Sequence, residues 1–289
     1  MLFLFRFFAR WPLRLLHALG ALIGWLTYLS SPTYRRRFKA NVATAGLPWS
    51  SARGAIAEAG RRVAELPWLW MRAPDQPLGK RLRWDGAELI EQALDRSNGL
   101  LLLTPHLGCF EICAQAIAER FGARLPITVL FRPARKEILR RLVDGSRGRP
   151  GLLTAPATLA GVRQMIRALR KGEMVGLLPD QVPPEGLGVW APFFGQPAYT
   201  MTLAGRLVQQ TGAELLLIWG ERLSRGQGYV VHVMNAPAIG KQDAPESAAA
   251  TVNAAMEQMI RNAPGQYLWA YHRYKNPRGL DIGAAPAAE

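Results

Sequence analysis

Hydrophobic and polar positions follow two periods along this chain, and the change of period marks its elements. Residues 1–14 (MLFLFRFFARWPLR) are apolar with Arg6, Arg10 and Arg14 interspersed, and Leu15–Leu29 contains no Asp, Glu, Lys or Arg. Over residues 41–73 the apolar positions recur at mixed three- and four-residue spacings, which predicts helix until Pro74 and Pro77 break the chain. From residue 88 the pattern switches to strands alternating with helices. ELIEQALDRSNG predicts a helix ended by Gly99, and LLLLT (100–104) a strand apolar at every position, as one covered on both faces is. A helix over 110–121, a strand at 126–131, a helix over 158–172 and a strand at 174–179 follow. A helix near 200–212, strands at 214–220 and 229–234, and a last helix over 247–262 complete the series. This alternation predicts an α/β sandwich with a mostly parallel or mixed sheet. No repeat or linker divides the chain, so it reads as a hydrophobic, basic anchoring segment (1–40), one domain (41–280) and a disordered tail (281–289).

Composition narrows the class. The 289 residues carry 36 Lys+Arg against 21 Asp+Glu, a formal charge of +15, and 49% of positions are hydrophobic. A chain of that hydrophobicity is neither disordered nor a disulfide scaffold. Its two cysteines, Cys109 and Cys113, form no CxxC pair, and a reducing compartment follows. The positive excess calls for an anionic partner: a membrane surface, a phosphorylated lipid, an acidic carrier protein or nucleic acid.

The charge also bears on the N-terminal run. Spanning hydrocarbon takes about 20 apolar residues, and this run is shorter. Trp11, Trp25 and Tyr28 suit headgroup level, while Arg35, Arg36, Arg37 and Lys39 follow the run, so positive charge flanks it on both sides. A helix lying in, or dipping into, one leaflet fits that pattern as well as a span does. No small-x-small cleavage site follows it, so a secretory signal is disfavoured.

Several chemistries are missing from the sequence. There is no GxxxxGK[ST], GxGxxG, HExxH or GxSxG, and the histidines (His17, His106, His232, His272) lie far apart, so neither a nucleotide nor a metal site is expected. What remains is TPHLGCFE, residues 104–111. His106 falls just past the carboxyl end of a strand, where ligands gather in open α/β sheets. Glu111 is five residues on, in the first turn of a helix, and a carboxylate there can fix the imidazole's tautomer. A histidine so held can draw a proton from a hydroxyl. Cys109, between the two, raises the question of a thiol nucleophile; packing is the commoner fate of a buried cysteine.

These residues belong to a longer series. FRP (131–133), Gly148-Arg149, LLPDQ (177–181), PFFG (192–195) with Thr200, and QYLWAYHRYK (266–275) follow in order. In that order the chain resembles the late acyltransferases of lipid A biosynthesis, within the wider lysophospholipid and glycerolipid acyltransferase superfamily. HLGCFE corresponds to the superfamily's His-x-x-x-x-acid block, and the basic apolar N-terminus is likewise as the family has it. One position departs: the family's His-Arg-Arg ending reads Tyr271-His272-Arg273 here, so Arg273 carries over and His272 does not.

The resemblance implies a glycerolipid-acyltransferase-like αβ sandwich at the cytoplasmic face of a bacterial inner membrane. It implies transfer of a fatty acyl chain from acyl carrier protein to a hydroxyl of an anionic, Kdo-bearing lipid A precursor, with no cofactor, no metal and no nucleic-acid partner. His106 is then the general base, oriented by Glu111. Arg132, Arg149, Asp180 and Arg273 are the expected substrate-binding residues, with a backbone N–H of Gly108–Phe110 and Arg149 as candidates for steadying the oxyanion. Seven basic residues between Arg132 and Arg149 form a patch suited to lipid phosphate or the carrier protein. The same chemistry on another acceptor (a phospholipid, an ornithine lipid or a glycolipid), a hydrolase built on the same pair, and a non-enzymatic anion binder are the competing readings.

Overall fold

A computed structural model describes residues 2–73, 76–131 and 149–278. The expected tail at 281–289 lies outside them. Six helices come first: α1 (Leu2–Ala9), α2 (Leu13–Ser30), α3 (Pro32–Thr44), α4 (Trp49–Ala52), α5 (Ala55–Ala64) and α6 (Leu66–Met71). Then follow β1 (Leu82–Asp85), α7 (Ala87–Arg96), β2 (Leu100–Leu103), α8 (Phe110–Phe121), β3 (Ile127–Phe131), β4 (Leu152–Pro156), α9 (Leu159–Arg170) and β5 (Met174–Leu177). A hairpin of β6 (Gly188–Phe193) and β7 (Gln196–Met201) precedes α10 (Leu203–Thr211), β8 (Glu214–Arg222), β9 (Tyr229–Asn235) and α11 (Pro245–Asn262).

The fold is mixed α/β around a seven-stranded sheet in the order β1-β9-β8-β2-β5-β3-β4. Every neighbouring pair is parallel except β8 and β9. Alternate residues of the apolar central strands serve two cores, as the two-residue period of a strand requires. Leu101 and Leu103 of β2 pack in one with Met256, Met259 and Ile260 of α11; Leu100 and Leu102 pack in the other with Ile90 of α7 and Ile112 of α8. β2 leads through α8 to β3 on one side, while its neighbour β5 leads through the hairpin and α10 to β8 on the other. Chains leaving adjacent strand ends in opposite directions open a crevice between them, and ligands of open α/β sheets bind there.

The helix expected over 41–73 is interrupted at Pro48, at Gly54 and around Pro67, giving the end of α3 and then α4, α5 and α6. The hairpin and strands β1 and β4 were not anticipated. The hairpin turns on Phe194 and Gly195, both at positive φ, and the buried Phe194 ring packs against Phe193 and Trp269.

The N-terminal helices join the body closely, and residue 40 falls inside α3. α2 buries Leu13, Leu16, His17, Gly20, Gly24 and Tyr28, a stripe at helical spacing that lies along α5. The seam is made by glycines: a Cβ on Gly60 would lie 1.9 Å from the Gly20 carbonyl oxygen. The opposite face exposes Leu15, Leu22, Ile23, Trp25, Leu26 and Leu29, and α1 adds Phe3, Leu4 and Phe7. By length and composition α2 is apolar enough to cross a membrane, and a third of it is buried against the protein.

Candidate active site

His106 and Asp180 are brought together by strand register. Leu103 of β2 pairs with Leu177 of β5, and His106 and Asp180 each stand three positions further along the chain. The Asp180 carboxylate takes two hydrogen bonds from the same residue: Oδ2 accepts from the His106 backbone N–H at 2.9 Å, and Oδ1 lies 2.7 Å from Nδ1 of the ring. Burial works against the Asp180 charge, and the His106 ring, its two hydrogen bonds and the Arg273 guanidinium overcome it and hold the carboxyl below the usual aspartate value. An ionised Asp180 accepts from Nδ1–H and leaves Nε2 with its lone pair. That nitrogen lies 3.1 Å from Nε2 of Gln181. Asp180 is 2% exposed and the His106 side chain 17%, so the ring alone of the pair meets solvent. The edge of Phe110 packs on the ring at a centroid distance of 4.9 Å.

Glu111 was expected to orient His106. The ring's two hydrogen-bonding nitrogens face Asp180 and Gln181 instead. The reason is geometric: equal offsets from paired strand ends place residues 106 and 180 side by side, whereas Glu111 rides on the first turn of α8. Glu111 begins a stripe on that helix, with Gln115 and Glu119 one and two turns further on.

The other expected residues divide. Arg132 and the basic patch up to Arg147 lie outside the described residues. Arg149 is buried, and its Nη1 and Nη2 donate to the carbonyls of Ala73 at 3.1 Å and Arg72 at 2.8 Å. Arg273, expected to bind substrate, is also buried. It donates to the Tyr199 carbonyl and the Thr200 hydroxyl, both at 2.7 Å, and to Asn253 Oδ1 at 3.3 Å, under the face of Phe193. Its observed task is to fasten the C-terminal segment to β7, close enough to Asp180 for its charge to be felt. His272 is on the surface.

That C-terminal segment holds the site from outside. The Gln266 carbonyl accepts from Gly108 N–H at 3.0 Å, and its side chain exchanges two hydrogen bonds with the Arg222 backbone. Tyr271 Oη accepts from Val182 N–H at 2.9 Å, next to Asp180 and Gln181, and Asn41 of α3 donates to the carbonyls of Trp269 and Tyr271. Gly108, at φ +56°, has no room for a side chain: a Cβ would lie 2.1 Å from the Gly220 carbonyl. Gly108 and Cys109 N–H donate to the Gln266 and Gly220 carbonyls, which narrows the candidate oxyanion donors to Phe110 N–H at the start of α8.

Behind this turn lies a second polar cluster that the sequence reading missed. Arg222 donates to both oxygens of Glu65 and to Glu58, and Glu65 also takes hydrogen bonds from Tyr229 Oη at 2.9 Å and faces His17 at 3.1 Å. Burial opposes the Glu65 charge, but Arg222 and His17 prevail and lower its carboxyl to about 2. The available signal was two carboxylates seven residues apart, Glu58 on the buried side of α5 and Glu65 just past its end. Cys109 is buried nearby, and burial and the Glu65 charge push its thiol well above the ordinary range. His232 is half-buried and engaged by Asp85 and Glu221. Among the described residues no group of His, Cys, Asp and Glu is placed to hold a metal ion.

A buried carboxylate on one ring nitrogen and a displaceable side chain on the other suit an imidazole to proton abstraction from a hydroxyl. Residues 2–276 match the bacterial lipid A biosynthesis acyltransferase family. The chain belongs to that family of acyltransferases. It is 28% identical over 217 residues to the lipid A biosynthesis lauroyltransferase of Escherichia coli (strain K12), covering 74% of this chain and 68% of that one. To the palmitoleoyltransferase of the same organism it is 26% identical over 212 residues, 73% of this chain and 66% of the relative. To a lipid A biosynthesis acyltransferase of Haemophilus influenzae it is 27% identical over 192 residues, 66% and 58%. The matched stretch thus spans about two thirds or less of each of these relatives.

Proposed function

We propose that this acyltransferase moves a fatty acyl chain from acyl carrier protein to a hydroxyl of a Kdo-bearing lipid A precursor at the cytoplasmic face of the inner membrane. The observation that supports it best is the His106–Asp180 pair at the switch point of the sheet, in a chain of this family.

The acceptor hydroxyl takes the place of Gln181 at Nε2 of His106 and gives that nitrogen its proton as the oxygen attacks the thioester carbonyl. Asp180 steadies the imidazolium, with no proton passing to the carboxylate. The oxyanion forms beside the N-terminus of α8, where the Phe110 N–H and the helix dipole favour negative charge. Collapse breaks the C–S bond, the new C–O ester remains on the lipid, and the imidazolium returns its proton to the departing thiol. Glu111, one step along the same helix start, is assigned to the acceptor side of the crevice, and Arg149 and Arg273 to holding the backbone that shapes it. The exposed apolar face of α1 and α2 seats the enzyme in the leaflet that supplies the acceptor.

The test is mass spectrometry of a tetra-acylated, Kdo-bearing precursor incubated with the enzyme and acyl carrier proteins charged with chains of several lengths. One added acyl mass is expected, lost by about 10³-fold in Asp180→Asn, which leaves the shape but not the charge that orients His106. Free fatty acid in place of the acylated lipid would overturn the reading in favour of hydrolysis. Transfer to phospholipid alone would move it to another acceptor.

A further inference from the structure

Away from the His106 crevice, the end of α1 meets α6 around a cavity of about 340 Å³, within the range of roughly 300–1,000 Å³ usual for small-ligand sites. Arg6, Arg10 and Arg72 line it together with Trp68, Met71 and Gln76, and no carboxylate is among the described lining residues. Arg6 and Arg10 are exposed, whereas the Arg72 side chain is 4% exposed. Arg72 donates to the Gln76 carbonyl and to Gln115 Oε1, both at 2.7 Å, and its Nη1 lies 3.6 Å from the Glu119 carboxylate on the side of α8, while its buried Nε has no partner among the described residues. Burial and the neighbouring Arg149 draw the Arg72 guanidinium down to about 10 even though Glu119 opposes them, and a further anion would offset what remains. The walls are as informative as the charges: Trp68 and Met71 are apolar, and α1 continues outward with exposed Phe3, Leu4 and Phe7. Cations within, apolar surface at the rim and a membrane-facing helix beside it describe a seat for an amphiphile with an anionic head.

We propose that this cavity binds the phosphate of a lipid headgroup, with Arg6 and Arg10 at its mouth and Arg72 at its floor. The phosphate belongs either to the acceptor itself or to an anionic lipid of the surrounding leaflet. The first source rests on the acylation proposed above. It is favoured by the path along α8, where Gln115, which holds Arg72, lies one turn from Glu111 at the edge of the crevice.

Arg72 is unsuitable for substitution because its bonds hold the chain between α6 and α8, so the test uses Arg6→Gln/Arg10→Gln. Arg36→Gln/Arg37→Gln removes the same charge from exposed positions of α3 outside the cavity. Binding to phosphatidylcholine vesicles with and without phosphatidic acid gives a readout independent of activity. The cavity pair is expected to weaken the phosphatidic acid-dependent part about tenfold, the scale of one lost charge-assisted hydrogen bond, and the α3 pair far less. In parallel, KM is measured for the acceptor with and without its phosphates. A rise on dephosphorylation in the wild type that disappears in the cavity pair identifies the acceptor as the source. Weaker vesicle binding with unchanged discrimination between acceptors identifies a leaflet lipid. Equal losses in both pairs would overturn the site, leaving surface charge alone. If no acceptor is acylated, the acylation reading fails and the vesicle result still decides the cavity.

Discussion

The two polar clusters on either side of the turn at residues 104–109 contrast in one respect: which of them keeps a side open to exchange. His106 and Asp180 form one cluster; Arg222, Glu65 and Glu58 form the other, and Gly108 connects them, its carbonyl accepting from Arg222 at 3.3 Å. Both are charge-assisted and both rest on a carboxylate that burial alone would neutralise. Arg222 gives its donors to Glu65, Glu58 and Gly108, all within the protein, and lies out of reach of solvent. His106 keeps one ring nitrogen on a side chain, Gln181, that a substrate can displace, and part of its ring faces outward. A closed set of partners stabilises; an open one can react.

The largest expected effects test this division by crossing two assays. His106→Ala should reduce acyl transfer by about 10²–10⁴-fold, the worth of a general base, with a smaller fall in Tm than Arg222→Met, because Asp180 keeps the backbone N–H of residue 106 and the Arg273 charge. Arg222→Met should do the reverse, because it takes the main cationic partner from the buried Glu65 and leaves Glu58 with Arg61 alone. The cost is about 3–5 kcal/mol, read as a lower Tm with turnover per folded molecule kept. An Arg222→Met protein that folds normally yet transfers no acyl chain would break the comparison and move Arg222 into the chemistry.

Acid sharpens the same contrast with a smaller effect. Glu65 titrates near 2 in the fold against an ordinary value of 4.5. Its stabilisation is therefore complete above about pH 4.5 and is lost as pH falls from there towards 2, amounting to about 3 kcal/mol by linkage. Thermal unfolding followed from pH 6 to pH 2.5 should show the decline in wild type and a shallower one in Glu65→Gln, whose starting stability is already lower. Parallel declines would mean that another carboxylate governs the acid limb.

The period of the hydrophobic pattern made much of the sheet readable: β2, β3, β5, β8, β9 and the helices after residue 86 stand close to where the alternation puts them. β1 and β4 were not readable because their burial is partial and alternates with exposed Arg83, Leu153 and Pro156, and the β6–β7 hairpin because its turn is Phe-Gly, without the usual Asn or Asp. In the candidate site, the place of His106 just past an apolar strand was legible from the sequence, and the structure sets it at the end of β2. The role of Asp180 was not, because it depends on which strand lies beside β2, and pairing between segments some 74 residues apart leaves no local trace. Glu111 was drawn from the His-x-x-x-x-acid block, and the partner that Nδ1 meets, Asp180, depends on a register that only the folded sheet supplies. The same holds for Arg273: its identity was readable, whereas its burial under Phe193 required the hairpin that the pattern concealed.

Cys109 gives the smallest expected effect and the sharpest test of direct transfer. It stands between His106 and Glu111, where a thiol could in principle carry the acyl chain as a covalent intermediate. Two features argue against that role. The side chain is buried among Ile112, Cys113 and the apolar residues beneath α8, and its thiol is pushed well above the ordinary range, first by burial and then by the charge of Glu65. A thiolate is the reactive form, and both causes suppress it. Cys109→Ala should therefore keep turnover within about twofold of wild type while costing about 1 kcal/mol in stability from lost packing. An acyl mass recovered on the peptide containing Cys109, or a loss of transfer comparable to that of His106→Ala, would replace direct attack by the acceptor hydroxyl with a two-step mechanism. It would also place the reactive thiol on the scaffold side of the turn, beside Glu65 and Arg222, and so erase the distinction between the two clusters.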